Sequence, residues 1–189
     1  LAGDPPQSAQ FYARLHDGVP MDAMEAILTR RSIRKFAEGK LPPETVDRLL
    51  SAGMAAPSAR NAQPWQFVVI DDRPMLIEIA ARFPNAEAAR YASLGILVCG
   101  DLALELSKGY WVIDCAAACQ NMLLAAHAMS LGGLWTGVYP RDFRVEGMRE
   151  LLGIPEHVIP HSLLLFGPPA ELPTEVRRFH RDRIHWNRW

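Results

Sequence analysis

An α+β fold is the architecture this sequence predicts, and three observations predict it. Four short apolar runs, at 66–70, 94–99, 134–139 and 162–166, have the length and composition of buried strands. Helical segments separate them without the strict strand–helix–strand rhythm of a doubly wound sheet. One stretch, 112–129, is rich in alanine and apolar almost all round, which suits a central helix packed closely by its neighbours. In a chain this short, such a helix serves a subunit interface as readily as a monomer core.

The elements follow in order. Asp22 with Glu25 forms a capping-box-like start, and Met24, Ile27 and Leu28 share one face of a helix expected to end near Arg31. Pro42-Pro43-Glu44 opens a second helix, because proline is tolerated in the first turn; Val46, Leu49 and Leu50 give it a stripe that reaches Gly53. The strand at 66–70 runs into Asp71-Asp72-Arg73-Pro74, a turn that leads to a helix over 75–82. Beyond the long helix come the strand at 134–139, a helix over 145–152 and the strand at 162–166. The stretch 168–189 is proline-rich at first, then basic and aromatic, with Arg177, Arg178, Phe179, Trp186 and Trp189. Two tryptophans there are costly to leave in water, so the tail is expected to pack on something.

Composition narrows the function. With 189 residues, 49% hydrophobic and 22% charged, the chain suits one globular domain over 21–189. Residues 1–20 lack a basic segment followed by an apolar one, and they read as an N-terminal extension or an expression remnant, with Met21 a plausible natural start. A net charge of −1 argues against a nucleic-acid binder. Apolar runs break off well short of the ~20 residues a bilayer requires, so no membrane partner is expected. Cys99, Cys115 and Cys119 form no CxxC and have no histidine at ligand spacing; they read as small buried thiols in a cytoplasmic protein without a metal.

Two segments carry the chemistry. Arg30-Arg31-Ser32-Ile33-Arg34-Lys35-Phe36 places four cations within six residues beside a hydroxyl. Guanidinium forks match phosphate oxygens, and such crowding of like charge calls for an anion. Pro57-Ser58-Ala59-Arg60-Asn61-Ala62-Gln63-Pro64-Trp65 is a turn-forming, amide-bearing loop at a strand start. The pair suggests a ligand with an anionic tail and a flat, hydrogen-bonding head.

These motifs resemble those of the nitroreductase family, in which RRSxRxF and PSxxNxQPW elements both handle FMN. The helix at 114–130 with Gln120-Asn121, the strand Trp135-Thr136-Gly137-Val138 and the tail 167–189 fit the same pattern, so the resemblance spans 21–189. It implies a nitroreductase-like α+β fold, with a mixed or antiparallel central sheet flanked by helices and a C-terminal tail exchanged across a homodimer. It further implies FMN at the subunit interface and NAD(P)H as electron donor. Arg30, Arg31, Ser32 and, from the tail, Arg178 are then the phosphate ligands. Family members often carry a further cation two residues before the tail arginine, where this chain has Val176; Arg177 is its candidate replacement. Arg34 is expected near the pyrimidine or ribityl portion, and Pro57, Ser58 and Asn61 are expected to reach the flavin of the opposite subunit. Gln63, Pro64 and Trp65 read as loop-shaping residues. Trp135, Thr136 and Gly137 would run beside the ring, with a backbone N–H near Gly137 aimed at N5, where a residue without Cβ lets the main chain approach. Asp114 corresponds to a flavin-proximal position or to the N-cap of its helix.

The implied activity is ping-pong transfer of two electrons from NAD(P)H to a nitroaromatic, quinone or similar flat small-molecule acceptor. The flavin carries that chemistry, so no catalytic side chain is nominated. His127 reads as a satisfied core histidine. The chain has no GxGxxG after a strand, which fits a nicotinamide that visits the flavin without a binding domain of its own. Two alternatives share the fold: a specialised flavin enzyme such as a dehalogenase or enone reductase, and a flavin-binding module without turnover.

Overall fold

The first helix begins where its capping signal lies. In the computed structural model, which describes residues 21–173 and 176–189, Asp22 Oδ1 accepts the Glu25 N–H at 3.0 Å and α1 spans Ala23–Thr29. Residues 1–20, read above as an extension, lie outside the described part. The helix stops short of the expected Arg31 because a strand recruits the chain. Arg30 turns out of helical conformation at ψ 130°. Ser32 then makes a parallel bridge to Gly133, and the Ile33 N–H donates to the Gly133 carbonyl at 3.0 Å.

The remaining elements are α2 (Pro43–Met54), β1 (Trp65–Ile70), α3 (Arg73–Arg82), β2 (Leu94–Asp101), α4 (Trp111–Ala128), β3 (Gly132–Gly137), α5 (Asp142–Leu152) and β4 (Val158–Gly167). Asp72 caps α3 by accepting the Met75 N–H at 2.9 Å, which moves the helix start two residues ahead of the expected 75. Short 3-10 turns at Ala59–Asn61 and Pro84–Arg90 had no counterpart in the sequence reading.

The four strands form one antiparallel sheet in the order β1-β2-β4-β3. Of the mixed or antiparallel alternatives, the antiparallel one holds, and the bridge at Ser32 is the parallel element beside it. Several boundaries differ from expectation. β4 starts at Val158 rather than Ser162, because the register slips between Val98 and Cys99 and seats Pro160 opposite the irregularity, where a residue without an N–H is tolerated. β3 starts at Gly132 rather than Leu134. A Cβ on Gly132 would lie 2.9 Å from Ile33 Cγ2, so the glycine belongs to close packing within the strand rather than to a turn before it. The same strand ends at Gly137, not Tyr139, since the Val138 and Tyr139 N–H groups both turn to the His161 carbonyl. α5 begins at Asp142 rather than 145.

Side chains alternate across the sheet, as the twofold strand period demands. Leu163 and Leu165 point into a core with Ile33, Phe36, Leu76, Ile79, Phe83 and Met148. Leu164 and Phe166 point the other way, onto Leu49, Trp111, Cys115 and Met122. The alanine-rich α4 therefore lies flat on one face, and Gly53 of α2 is close enough that a Cβ there would meet Met122 at 3.1 Å. Both outer strands keep an edge: β1 on one side, and β3 on the other beyond its contact with Ser32–Ile33. The second of these edges carries the candidate site.

Candidate functional site

The end of α1 and the tail meet in a cationic cleft. A cavity of about 290 Å³ is walled by Arg31, Ser32, Arg34, Glu171, Val176 and Arg178, among others. Arg30 stands beside it: burial, then the charge of Arg178, then that of Arg31 lower its basicity. Among the described residues, the ion pairs are Arg82–Glu150 and Arg149–Glu146, so no described carboxylate pairs with Arg30, Arg31 or Arg178. Arg31 is the most committed of the three. It donates from Nη1 to the Leu28 and Arg30 carbonyls at 2.8 Å each and from Nη2 to the Val176 carbonyl at 3.5 Å, leaving a buried Nε without a partner. Its first task is thus to tie the helix end to the tail. Val176 supplies a carbonyl here, and Arg177 is not in the wall.

Glu171 is the one described carboxylate in that wall, and its Oε1 accepts the backbone N–H groups of Arg34 and Lys35. The same stretch is laced to the tail by Ala37 N–H to the Pro168 carbonyl and Ala170 N–H to the Lys35 carbonyl, both at 2.9 Å. Arg34 is held from behind, while its exposed side chain walls two cavities at once.

The second cavity, of about 360 Å³, runs along the edge of β3 and is lined by Arg34, Asn85, Glu87, Tyr91, Trp135 and Thr136 among others. In an antiparallel strand, N–H and C=O groups alternate between the two sides. The Gly133 carbonyl faces away from β4, toward Ile33; by alternation the main-chain groups of Trp135 and Gly137 face outward too. The Gly137 carbonyl agrees: Arg144 Nη1 at 2.9 Å and Asn85 Nδ2 at 3.2 Å both donate to it. A Cβ built on Gly137 would meet nothing within 4 Å. The edge therefore offers outward main chain beside open space, a surface a flat ring can approach. The side chains of the neighbouring pair are otherwise engaged: Thr136 Oγ1 donates to the Leu163 carbonyl at 2.9 Å and Trp135 Nε1 to Ser162 Oγ at 2.7 Å.

Pro57, Ser58 and Asn61 are in the wall of neither cavity that Arg34 lines. Their loop is nonetheless rigidly built. Ser58 Oγ accepts the Gln63 N–H at 3.0 Å, Gln63 Nε2 donates to Asn61 Oδ1 at 2.9 Å, and the Pro64 carbonyl accepts from Asp101 N–H at 2.7 Å. Arg60, Asn61 and Gln63 all hold positive φ, between 49° and 57°, an expense that non-glycine residues bear where geometry is fixed for a purpose. Asp114 supplies the anchor. Its Oδ1 accepts the Ala59 N–H at 2.9 Å. The helix N-cap is Tyr110, so the capping alternative for Asp114 is set aside.

The cysteines are buried, and burial pushes Cys99 and Cys119 up to about 12 and Cys115 higher still, which makes them poor nucleophiles and poor metal ligands. Among the described residues no three His, Cys, Asp or Glu side chains gather as a metal site. No described helix is long and apolar enough to cross a membrane. His127 is buried, with Nε2 at 2.8 Å from Thr29 Oγ1.

A cationic cleft joined through one arginine to a slot along a strand edge can take a ligand with an anionic group at one end and a flat group at the other. The sequence profile of the Nitroreductase family matches residues 27–97 and 107–167. The chain belongs to the nitroreductase family. A protein of Methanothermobacter thermautotrophicus, provisionally named NADH dehydrogenase/NAD(P)H nitroreductase, is 49% identical over 169 residues, covering 89% of this chain and 88% of its own. A crystal structure of a protein with the same provisional name from Parabacteroides distasonis superposes with a TM-score of 0.84 at 40% identity, covering 88% of this chain and 98% of the other. A provisionally named nitroreductase from Desulfovibrio desulfuricans, solved in complex with FMN, gives a TM-score of 0.77 at 31% identity, with 89% and 99% covered.

In this nitroreductase-family chain, Arg31, Ser32, Arg34 and Arg178 wall the cleft with Arg30 beside it, Arg34, Trp135 and Thr136 wall the slot, and Pro57, Ser58 and Asn61 join neither. The sequence does not single out Glu171, Asn85 or Arg144, which the fold places beside these cavities. None of the three lies in a motif, and each acts on main-chain atoms whose position only the fold reveals.

Proposed function

We propose that this chain is an FMN-dependent oxidoreductase that takes two electrons from NAD(P)H and passes them to flat, electron-poor small molecules such as nitroaromatics or quinones. One observation carries the reading: Arg34 is a shared wall of the cationic cleft and the slot along β3, which suits a ligand with a phosphate at one end and a planar ring at the other. The cleft fits the phosphate on its own terms, because its guanidinium groups form no ion pair with a described carboxylate and Arg31 keeps a buried Nε unsatisfied.

Arg30, Arg31, Ser32 and Arg178 would hold the phosphate. Arg34 would lie toward the N1–C2=O edge, where a cation favours the negative charge of the reduced ring. Trp135, Thr136 and Gly137 would present main chain along the ring, with the Gly137 N–H toward N5. When bound, FMN supplies the chemistry, accepting hydride at N5 and giving it up again. The slot is open to solvent on the side of Glu87 and Tyr91, so donor and acceptor can occupy the same place in turn, the structural requirement of a ping-pong cycle.

The working unit in this reading is a homodimer with FMN at its interface. Pro57, Ser58 and Asn61 do not wall the cavities of their own chain, yet their loop is rigid and strained; a second copy gives it a ligand to meet. An exchanged C-terminal tail fits the exposure of residues 176–189 and the free edge of β1. Three buried free thiols suit a reducing cytoplasm.

The test is reconstitution. Purified protein should bind FMN, give a flavin spectrum and bleach anaerobically with NADH or NADPH. Replacing Arg30 and Arg178 together by Gln should weaken FMN binding by about 10- to 100-fold, the size of one or two charge-assisted hydrogen bonds, while riboflavin, which has no phosphate, should change little. Protein that takes up no FMN, or loses FMN and riboflavin equally in that variant, would refute the assignment.

A further inference from the structure

Two polar side chains from separate elements converge on a single carbonyl at the ring end of the site. Asn85, from the turn Pro84–Arg90, and Arg144, from the first turn of α5, both donate to the Gly137 oxygen, at 3.2 and 2.9 Å. Gly137 is the last residue of β3, where the sheet stops pairing and Val138 and Tyr139 bend toward His161. Without an external hold, the final peptide of an edge strand is its least constrained. Two donors from outside the sheet supply that hold and fix the direction of the adjoining outward N–H.

Arg144 brings more than a hydrogen bond. It is partly buried, its Nε is buried without a partner, and its guanidinium lies 5.3 Å from the Phe143 ring centroid, with no described carboxylate in ion-pair contact. A positive charge on a carbonyl at the rim of the slot is therefore not neutralised by a neighbouring side chain. The nearest mobile negative charge the site is designed to meet is that of a reduced flavin.

Building on the FMN reading above, the geometry points to Arg144, assisted by Asn85, as a positioning residue that fixes the Gly137 main chain against the ring and raises the reduction potential of bound flavin through its charge. Arg144 is not in the wall of the slot, so it acts through the carbonyl it holds and through space. At roughly 10 Å with an effective dielectric of about 20, one unit charge still favours the reduced anion by about tenfold. Arg34 faces the slot directly and serves the opposite end of the ring; the two cations bracket it.

The experiment is spectroelectrochemistry on FMN-loaded wild type, Arg144→Gln and Arg144→Lys, with dissociation constants for oxidised FMN measured alongside. The expected result for Arg144→Gln is a tenfold loss of preference for reduced over oxidised flavin, about 30 mV for a two-electron couple, with oxidised FMN affinity changed less than threefold. Arg144→Lys keeps the charge and should stay within about 10 mV of wild type. Equal shifts in the Gln and Lys variants, or no shift in Gln, would overturn the assignment by showing that the residue only braces the fold. Asn85→Asp provides a second handle at an exposed position: it removes a donor and adds an opposing charge at the same carbonyl, so its potential must also fall, and an unchanged value would count against the proposal. Wild type that fails to bind FMN would overturn the function and this inference together, whereas FMN uptake with unshifted potentials removes the inference alone.

Discussion

At the scale of single residues, the most consequential side chain outside the site is His161. It is 6% exposed, its Nδ1 lies 3.0 Å from Ser162 Oγ, and that same oxygen accepts the Trp135 indole N–H at 2.7 Å. With the ring also bonded to the Val112 backbone, a neutral His161 keeps one nitrogen as donor and the other as acceptor, and Nδ1 shares a hydrogen bond with Ser162 Oγ. Protonating the ring would place a positive charge in a dry setting. Burial accordingly lowers its pKa from 6.5 to about 4, partly offset by a hydrogen bond to the Val112 backbone. The sign follows from linkage. The folded state binds this proton less readily than the unfolded chain, so the stabilising contribution is complete above about 6.5 and is lost as the pH falls toward 4. The slope cannot exceed about 1.4 kcal/mol per pH unit for one proton. Urea unfolding at pH 7 and pH 4.5 should show wild type losing up to about 3 kcal/mol more than His161→Gln does; equal acid sensitivity would remove His161 as the cause. Nothing in the sequence hints at this role, since a histidine in an apolar run looks the same whether it is charged, satisfied or orphaned. The arginine cluster was legible for the opposite reason: four cations so close together violate electrostatics unless something compensates, and that violation is visible without coordinates.

At the scale of elements, what the sequence revealed and what it concealed divide along local and non-local lines. α1 starts where Asp22 caps it, a signal contained in a few consecutive residues. The starts of β3 and β4 were misjudged because they are decided across the sheet, by Ile33 packing on Gly132 and by the register slip at Val98/Cys99. Gly100 illustrates the non-local case most sharply. It lies in β2 opposite Trp65, and a Cβ there would stand 2.2 Å from Trp111 Cε3 and 2.9 Å from Cδ2. The indole cannot easily withdraw, since its ring meets Tyr139 edge-on at 4.9 Å and lies 6.0 Å from His161. Gly100→Ala should therefore cost about 1–3 kcal/mol through overpacking and perturb tryptophan fluorescence. Gly133→Ala is the control, because its closest contact is the tip of a flexible side chain, Leu123 Cδ2 at 2.8 Å. Chemical denaturation that ranks the two variants the other way would show that the Trp111 ring yields and the Leu123 side does not.

At the scale of the whole molecule, a single chain leaves unusual amounts of apolar surface uncovered in specific places. Phe179 is 76% exposed, Trp186 83% and Trp189 fully so, while Met24, Ile27 and Leu28 stand out from α1 and Ile113 from α4. Tryptophan buries some 150–250 Å² when it packs, so each indole left in water forgoes roughly 4–6 kcal/mol. The same tail carries Arg178 into the cationic cleft before the exposed aromatics begin. Anchoring and covering are thus separable along the sequence, and that separation makes the homodimer testable. A chain ending at Arg178 keeps the phosphate cluster and loses Phe179, Ile184 and both tryptophans. If those residues pack on a second copy, sedimentation should show a dimer at full length and a monomer, or a dimer weakened at least 100-fold, in the shortened chain. FMN affinity should fall in parallel although every proposed phosphate ligand remains, because Pro57, Ser58 and Asn61 would no longer be presented by a neighbour. A shortened chain with unchanged mass and unchanged FMN affinity would mean that the tail contributes only its arginine, and that the strained loop at 57–64 serves its own chain.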